Sequence, residues 1–513
     1  MKDNFYITTP IYYVNDVPHI GHAYCTVAAD SIARYQRLSG KKVFFLTGTD
    51  EHGQKVEKAA RARGMEPLAH CDDMVEPYRH LWERYLISND GFIRTTEARH
   101  TRVVSAIFQR LFDQGDIFKS HYEGWYCTHE ETFWMKGQLN DGNCPDCGRP
   151  VELLKEESYY FRTSAYVDRL LAHIEANPGF IRPEVRRNEV ISFIKGGVQD
   201  VSVSRTSVKW GIPVPFDPDH VIYVWFDALI NYLTGIDYLS DEAEFERFWP
   251  PVHLLGKDII KFHAVIWPCM LLAIGVKLPQ AIIATGFWTL GKEKISKSKG
   301  NVVDPNRLAD DFGVDAVRYF FLREVPLGQD GEFTRAALIR RLNDDLANDL
   351  GNLLNRTLPM VERYLDGLVP ETPSEQTIAK NLKAVAMETV ERYRQLMDDF
   401  QLKAALEEIW KLVGRANKFV DEAAPWSLFK AGDDTLGEVM YALLETIRLT
   451  AQMIAPFMPG AARGIHEQLG LDYDPSEREF VTGLNWGELA TGTRTKRGDP
   501  LFPRIDAETD DGN

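Results

Sequence analysis

Only six of the 513 residues are cysteine, too few for the disulfide lattice that holds small secreted domains together. Cys25, Cys71 and Cys269 stand alone and read as reduced packing residues. A membrane span is also missing, since the longest apolar stretch, Ala264 to Val276, is short and broken by Pro268. The start, Met1-Lys2-Asp3-Asn4, carries no apolar leader. These absences set the expectation of a cytoplasmic protein without membrane contact. Positive charge is in deficit as well: 59 Lys and Arg face 75 Asp and Glu, for a net −16. That weighs against a uniformly basic surface for nucleic acid but leaves room for a local basic face. No Gly-rich phosphate loop is present, so any nucleotide must be gripped by other means. With 44% hydrophobic and 26% charged residues, the chain is an ordinary globular one, long enough for several domains.

Two short segments carry chemistry. The first is His19-Ile20-Gly21-His22, placed where an apolar strand, Phe5 to Thr9, gives way to a helix predicted over Ala23 to Leu38 and closed by Gly40. Backbone N–H groups at such a helix mouth face an anion, and a strand leading into one is the opening unit of a nucleotide-binding parallel sheet. The plain alternative is two surface histidines beside a turn. The second segment, Gly291 to Asn301, holds four lysines and two serines, with Lys294-Ile295-Ser296-Lys297-Ser298 at its centre. It is a loop, either a solvated basic turn or a cationic cover for a phosphate. Together the two segments suit a triphosphate: charge gathering on an α-phosphate and a departing pyrophosphate is what imidazoles and closing lysines stabilise, Lys297 foremost.

Organisation follows the alternation of patterns. Residues 1–115 alternate strands (Phe5 to Thr9, Val43 to Thr47) with helices, which implies parallel pairing. Residues 116–210 lack that unit and read as an insertion with short β-rich runs such as Val201 to Ser204. Within it, Cys127 and Cys144-Pro145-Asp146-Cys147 span a polar hairpin, a spacing that suits a zinc knuckle if a fourth ligand exists. The strand–helix pattern resumes over 211–290 with Val252 to Leu255 and Ala281 to Ala284, followed by the lysine loop and a connector over 291–345. Residues 346–513 close the chain. Leu338 to Leu365, Ile378 to Phe419 and Leu436 to Ile454 have helical apolar spacing, which argues an all-α bundle. The expected fold is therefore a Rossmann-like parallel sheet split by a connective insertion, with a C-terminal helical bundle.

The two charged segments resemble the HIGH and KMSKS signatures of the class I aminoacyl-tRNA synthetases, with Ile295 in place of Met. Ile7-Thr8-Thr9-Pro10-Ile11-Tyr12-Tyr13, Thr49-Asp50-Glu51-His52-Gly53, Tyr223-Val224-Trp225-Phe226-Asp227-Ala228, Gly256-Lys257-Asp258-Ile259 with Phe262-His263, and Ala424-Pro425-Trp426 narrow the likeness to the methionyl-tRNA synthetases. The resemblance implies an enzyme that joins methionine to ATP as methionyl-adenylate, releasing pyrophosphate, and then charges tRNA(Met), initiator tRNA included. It implies that His19, Gly21, His22, Lys294, Ser296, Lys297 and Ser298 bind ATP, which arrives with Mg²⁺. The methionine pocket would be Pro10, Ile11, Tyr13, Asp50, Trp225, Ala228, Leu229, Tyr232, Ile259 and His263. Asp50 would hold the amino group, with a helix cap as its rival role. The apolar members would wall the thioether, and outside the resemblance each reads equally as core. Asn352, Arg356 and Trp426 match the readers of a CAU anticodon, where splayed bases meet an amide, a guanidinium and an indole. For Trp426 the rival is a helix-end core aromatic.

At the knuckle the chain departs from the family pattern, with Glu130 where a metal-bearing form has Cys and His129 beside it. Either a zinc site completed by His129 or Glu130 or a metal-free knuckle is consistent with these residues. The leucyl, isoleucyl and valyl enzymes share both signatures but house an editing domain in the insertion, for which roughly 95 residues leave too little room. Two further rivals remain: an adenylyltransferase, which needs no long helical half, and a silent paralogue, against which the intact histidines and lysines argue. No room is left for an appended dimerising domain, so a monomer is expected. An apolar pocket separates near-isosteres by only about 1–3 kcal/mol, so weak activation of norleucine and homocysteine is expected. The resemblance implies disposal of homocysteine by cyclisation.

Overall fold

The computed structural model describes residues 3–128, 132–134, 136–291, 293–294, 303–371 and 378–506. Strand and helix alternate from the start: β1 (Asn4–Tyr13), α1 (Ile20–Leu38), β2 (Lys42–Asp50), α2 (Gln54–Ala62), α3 (Pro67–Arg84), β3 (Gly91–Arg94) and α4 (Ala98–Asp113). Next come β4 (Ile117–Cys127), β5 (Thr132–Trp134) and β6 (Glu152–Phe161), then α5 (Val167–Ala176), β7 (Ile181–Arg182), α6 (Glu184–Lys195) and β8 (Val201–Ser202). A small antiparallel sheet of β9 (Ser204–Arg205), β10 (Pro213–Val214) and β11 (Asp217–Ile222) leads into α7 (Val224–Thr234) and α8 (Glu242–Phe248). Next, β12 (Val252–Gly256), α9 (Trp267–Ala273) and β13 (Ala281–Thr285) restore the alternation.

The principal sheet has the order β3-β2-β1-β12-β13-β7, and every pairing in it is parallel. Strand order reverses between β1 and β12, about 240 residues apart in sequence, which opens a crevice at their carboxyl ends. The second sheet, β5-β4-β6-β8, is antiparallel and carries the cysteine hairpin. One element departs from the expected insertion: β7 joins the principal sheet as an edge strand beside β13, so the segment between α5 and α6 belongs to the sheet. A two-residue strand carries too little pattern for periodicity to reveal it.

Beyond the crevice, β14 (Trp288–Leu290) and β15 (Glu293–Lys294) pair with each other, and β14 also pairs with β16 (Gly331–Glu332), which follows α10 (Pro305–Phe312) and α11 (Val314–Arg323). The helix α12 (Arg335–Arg341) runs through a π-helical stretch, Leu342–Gly351, into α13 (Asn352–Leu365). Then α14 (Lys380–Asp398), α15 (Leu402–Ala423), α16 (Pro425–Ala431), α17 (Leu436–Ile454), α18 (Pro459–Gln468) and α19 (Phe480–Gly483) follow. The run expected from Ile378 to Phe419 is thus two helices, broken where Phe400 takes a φ of 61°.

A single apolar core joins one face of the sheet, under α1, to α11 and the bundle, and a second core lies on the other face under α4, α7 and α9. The joint between sheet and bundle is polar at its centre. The Arg318 guanidinium of α11, fully buried, pairs with Asp30 of α1 at 2.7 Å. It also donates to the carbonyls of Tyr85 at 2.8 Å, Phe457 at 2.8 Å and Pro456 at 3.1 Å. One cation therefore binds α1, the turn after α3 and the turn before α18, and these four bonds are how its buried charge is tolerated.

Candidate active site

The mouth of α1 is built by its own histidines. His19 is the N-cap, and its Nδ1 accepts from the Gly21 N–H at 3.0 Å. His22 Nδ1 in turn accepts from the His19 N–H at 3.2 Å, and the two rings stack 3.9 Å apart. With each Nδ1 used as an acceptor, the hydrogen of each neutral ring sits on Nε2, the tautomer that donates to an anion. Gly21 is required here, because a Cβ at that position would meet the His19 ring at 2.9 Å. The helix begins three residues earlier than the sequence pattern indicated, since histidine is not among the usual capping residues.

On the strand side, a bulge re-aims the end of β1. Its register against β2 shifts between Thr8 and Ile11, and Pro10, which has no N–H to pair, sits within the shift. The result is that Pro10, Ile11 and Tyr13 line a cavity of about 460 Å³ at the crevice. Asp50 from the end of β2, Trp225, Ala228, Leu229 and Tyr232 from α7, Ile259 after β12, and His263 complete its walls. His19, Gly21 and His22 line the same cavity. All ten residues expected around a thioether side chain and an amino group therefore meet, and they meet beside the paired imidazoles.

Several features shape this space. The Trp225 indole lies flat on the Phe262 ring at 3.8 Å and edge-on to Tyr13 at 6.4 Å. His263 sits in a π-helical turn, Phe262–Ile266, a geometry that often marks functional sites. Its Nδ1 is 3.1 Å from the Ile259 carbonyl and must carry the hydrogen, so Nε2 accepts from the Tyr232 hydroxyl at 2.8 Å. Burial pushes His263 down to about 4, keeping it neutral, and pushes the Tyr232 hydroxyl well above its ordinary range. Beneath Tyr232 lies His253, which accepts from Trp267 Nε1 at 3.1 Å and is likewise held neutral by burial. Asp50 is buried and does not cap α2: that helix is capped by Gly53 without a side-chain bond.

Sequence reasoning missed Asn15, Asp16, Phe287 and Trp288, which also line the cavity, and gave no role to Asp258. Phe287 and Trp288 follow the carboxyl end of β13, so the rule that ligands gather at strand ends would have found them. The lysine loop leaves from beside them. Lys294 pairs in the backbone with Thr289 of β14, while Ser296, Lys297 and Ser298 lie outside the described residues. At the far end of the loop, the Val303 carbonyl accepts from the Ile20 N–H at 3.3 Å. The two ends of the loop are thus held at the cavity, one of them on the first turn of the histidine helix.

Away from the cavity, the Cys127, Cys144 and Cys147 sulfurs lie within 4.8 Å of one another, Cys127 and Cys147 at 3.5 Å. Burial pushes the Cys147 thiol up to about 12. Three sulfurs at such separations fit three corners of one tetrahedral site, whereas His129 and Glu130 lie outside the described residues. In the bundle, Asn352 and Arg356 occupy one face of α13, and Arg356 donates to Asp421 of α15 at 2.5 Å. Trp426, near the start of α16, is 39% exposed and so is no core aromatic. Both α15 and α16 pack on α13, which brings the three residues to neighbouring helices.

A parallel sheet whose switch point holds paired histidines, with a lysine loop tied beside them and a helical bundle behind, defines a class I aminoacyl-tRNA synthetase. The family described as tRNA synthetases class I (M) matches residues 5–152 and 139–358, and the anticodon binding domain of methionyl tRNA ligase matches residues 369–512. The chain belongs to the methionyl-tRNA synthetase family. The methionine–tRNA ligase of Caldanaerobacter subterraneus is 54% identical over 512 residues, covering 99% of this chain and 80% of that protein. That of Clostridium tetani is 50% identical over 518 residues, covering 99% and 79%. Among solved structures, the Mycobacterium tuberculosis methionyl-tRNA synthetase in complex with methionyl-adenylate superposes with a TM-score of 0.93 at 46% identity, covering 98% of this chain and 100% of that one.

Proposed function

We propose that this protein joins L-methionine to ATP, forming methionyl-adenylate and pyrophosphate, and then transfers the methionyl group to the terminal adenosine of tRNA(Met), initiator tRNA included. The observation that carries the reading is the single cavity shared by the paired histidines and all ten residues of the thioether pocket. A methionine carboxylate oxygen attacks the α-phosphorus, the bond to the β-phosphate oxygen breaks, and pyrophosphate departs. The tRNA hydroxyl then attacks the activated carbonyl and AMP leaves.

Positioning and charge stabilisation dominate such chemistry. His19 and His22 donate from Nε2 to the phosphates, and Gly21 admits the adenosine close to the backbone. Lys294 and Lys297, with Ser296 and Ser298, close over the departing pyrophosphate. Asp50 pairs with the methionine ammonium, while Pro10, Ile11, Tyr13, Trp225, Ala228, Leu229, Ile259 and the Tyr232–His263 pair enclose the thioether. Mg²⁺ bound to the triphosphate would supply further charge shielding. The division of labour runs along the chain: residues 1–115 and 211–290 form the catalytic sheet, 116–210 the connective insertion, 291–345 the loop and connector, and 346–513 the anticodon-binding bundle. Asn352, Arg356 and Trp426 read the anticodon there. Cys127, Cys144 and Cys147 would hold a structural zinc, for which Glu130 or His129 would supply the fourth ligand.

Among the described residues no helix is long and apolar enough to cross a membrane, in keeping with work in the cytoplasm. ATP–pyrophosphate exchange against all twenty amino acids tests the reading, with metal analysis on the same sample. Exchange supported by methionine above the other nineteen is expected. Exchange that methionine does not support overturns it.

A further inference from the structure

Two residues in the segments that build the methionine pocket do not line it. Asp227 lies between Trp225 and Ala228 on α7, and His52 lies two residues past Asp50, yet these two side chains meet each other behind the pocket wall. The Asp227 carboxylate is 1% exposed. It accepts from His52 Nδ1 at 2.7 Å on one oxygen and from His100 Nε2 at 2.7 Å on the other. His100, fully buried in the first turn of α4, places its Nδ1 3.0 Å from Thr234 Oγ1 at the far end of α7.

The periodicity of α7 explains the division. Trp225, Ala228, Leu229 and Tyr232 fall at i, i+3, i+4 and i+7 and face the cavity, while Asp227 and Thr234 fall on the opposite stripe. His100 therefore spans two turns along the back of the helix that forms the thioether wall. His52 ties the same carboxylate to the end of β2, where Asp50 stands. Its ring packs edge-on to Trp210 at 5.4 Å, and Trp210 donates from Nε1 to the Glu51 carbonyl at 2.6 Å. Burial opposes the charge on Asp227, and the two imidazoles outweigh it, holding the carboxyl down at about 2.

We infer that Asp227 is a positioning residue that sets the width of the methionine pocket, stapling α7 through His52 and His100 so that the thioether wall and Asp50 keep one separation. The inference rests on the proposed methionine activation. Neither Asp227 nor its two partners touches the space where ATP would lie, so the methionine side alone should suffer when the staple is cut.

Pyrophosphate exchange on the full chain tests this with wild type, Asp227→Asn, His100→Leu and His100→Gln. An asparagine keeps the volume but turns an N–H donor toward one imidazole. Misplacement of a positioned wall should raise KM for methionine about tenfold or more while KM for ATP stays within about twofold. The preference for methionine over norleucine should narrow in parallel. His100→Leu should behave alike, whereas His100→Gln, which keeps a donor, should restore most of the loss. Should Asp227→Asn fail to fold, the two His100 variants decide. A KM for methionine unchanged in Asp227→Asn or His100→Leu overturns the inference, as does a parallel rise for both substrates or an equal loss in His100→Gln. Absence of methionine-dependent exchange in the wild type overturns the functional reading instead.

Discussion

Replacing Asp50 by asparagine removes one negative charge from the cavity wall and almost no volume. The carboxylate is 3% exposed at the end of β2, with the Tyr13, Trp225 and Tyr232 rings around the same space. An ammonium entering there gives up water and recovers the loss from Asp50. Truncating one partner of such a desolvated pair costs about 2–5 kcal/mol, so kcat/KM for methionine should fall roughly 30-fold to several thousand-fold. KM for ATP should move little. The unliganded protein should lose no stability, because the substitution leaves a neutral amide where an ion was buried. Pyrophosphate exchange and thermal unfolding measure the two halves of this expectation, and a desamino methionine analogue isolates the pair: it should be equally poor for both enzymes, since the group Asp50 holds is gone. A variant that keeps kcat/KM for methionine within threefold, yet unfolds at lower temperature, would assign Asp50 a structural role and remove it from recognition.

Other outcomes follow from the same geometry. Burial holds His466 down at about 4, so between pH 6.5 and about 4 the unfolded chain binds the proton that the folded chain refuses. The contribution is complete above pH 6.5 and shrinks by up to about 3 kcal/mol as pH falls to 4; denaturant unfolding of His466→Gln at pH 7 and 4.5 should show a correspondingly flatter pH dependence, and an unaltered slope would refute it. Trp426→Ala removes an exposed stacking surface worth about 1–3 kcal/mol, so KM for tRNA should rise roughly 5- to 150-fold while pyrophosphate exchange is unaffected. Metal analysis should find one zinc per chain in the wild type and none in Cys147→Ser; a metal-free wild type would make the knuckle a bare turn.

Long periodic elements were legible without coordinates. The helix expected over Leu436 to Ile454 has those very ends, and all four expected strands of the principal sheet appear, β1 and β2 lengthened by several residues and β12 and β13 by one each. Strand ends are where the pattern fades, because side chains there serve the crevice instead of the core. The bulge at Pro10 and the start of α1 at Ile20 were hidden for that reason, the latter capped by an imidazole that no propensity rule favours. The π-helical turn bearing His263 and the π-helical stretch before Asn352 were also illegible, since one extra residue per turn leaves the apolar spacing nearly helical. Pocket residues were placed through family likeness; periodicity alone would have assigned Ala228, Leu229 and Ile259 to the core. Asp227 and His52 stood in the quoted segments without a task, because a bond between residues 175 positions apart leaves no trace in local spacing.

The arrangement around Arg318 gives the molecule the character of a caliper with a locked screw. One cation, carried on α11, grips the helix that presents the imidazoles, the turn after α3, and the turn that enters α18 of the bundle. Sliding any of these past the others would strand a charge in a dry interior, so the jaws keep a set gap. The sheet domain that carries the imidazoles and the bundle behind it are thereby kept at one separation, and a loss of the Arg318 charge should be felt by both.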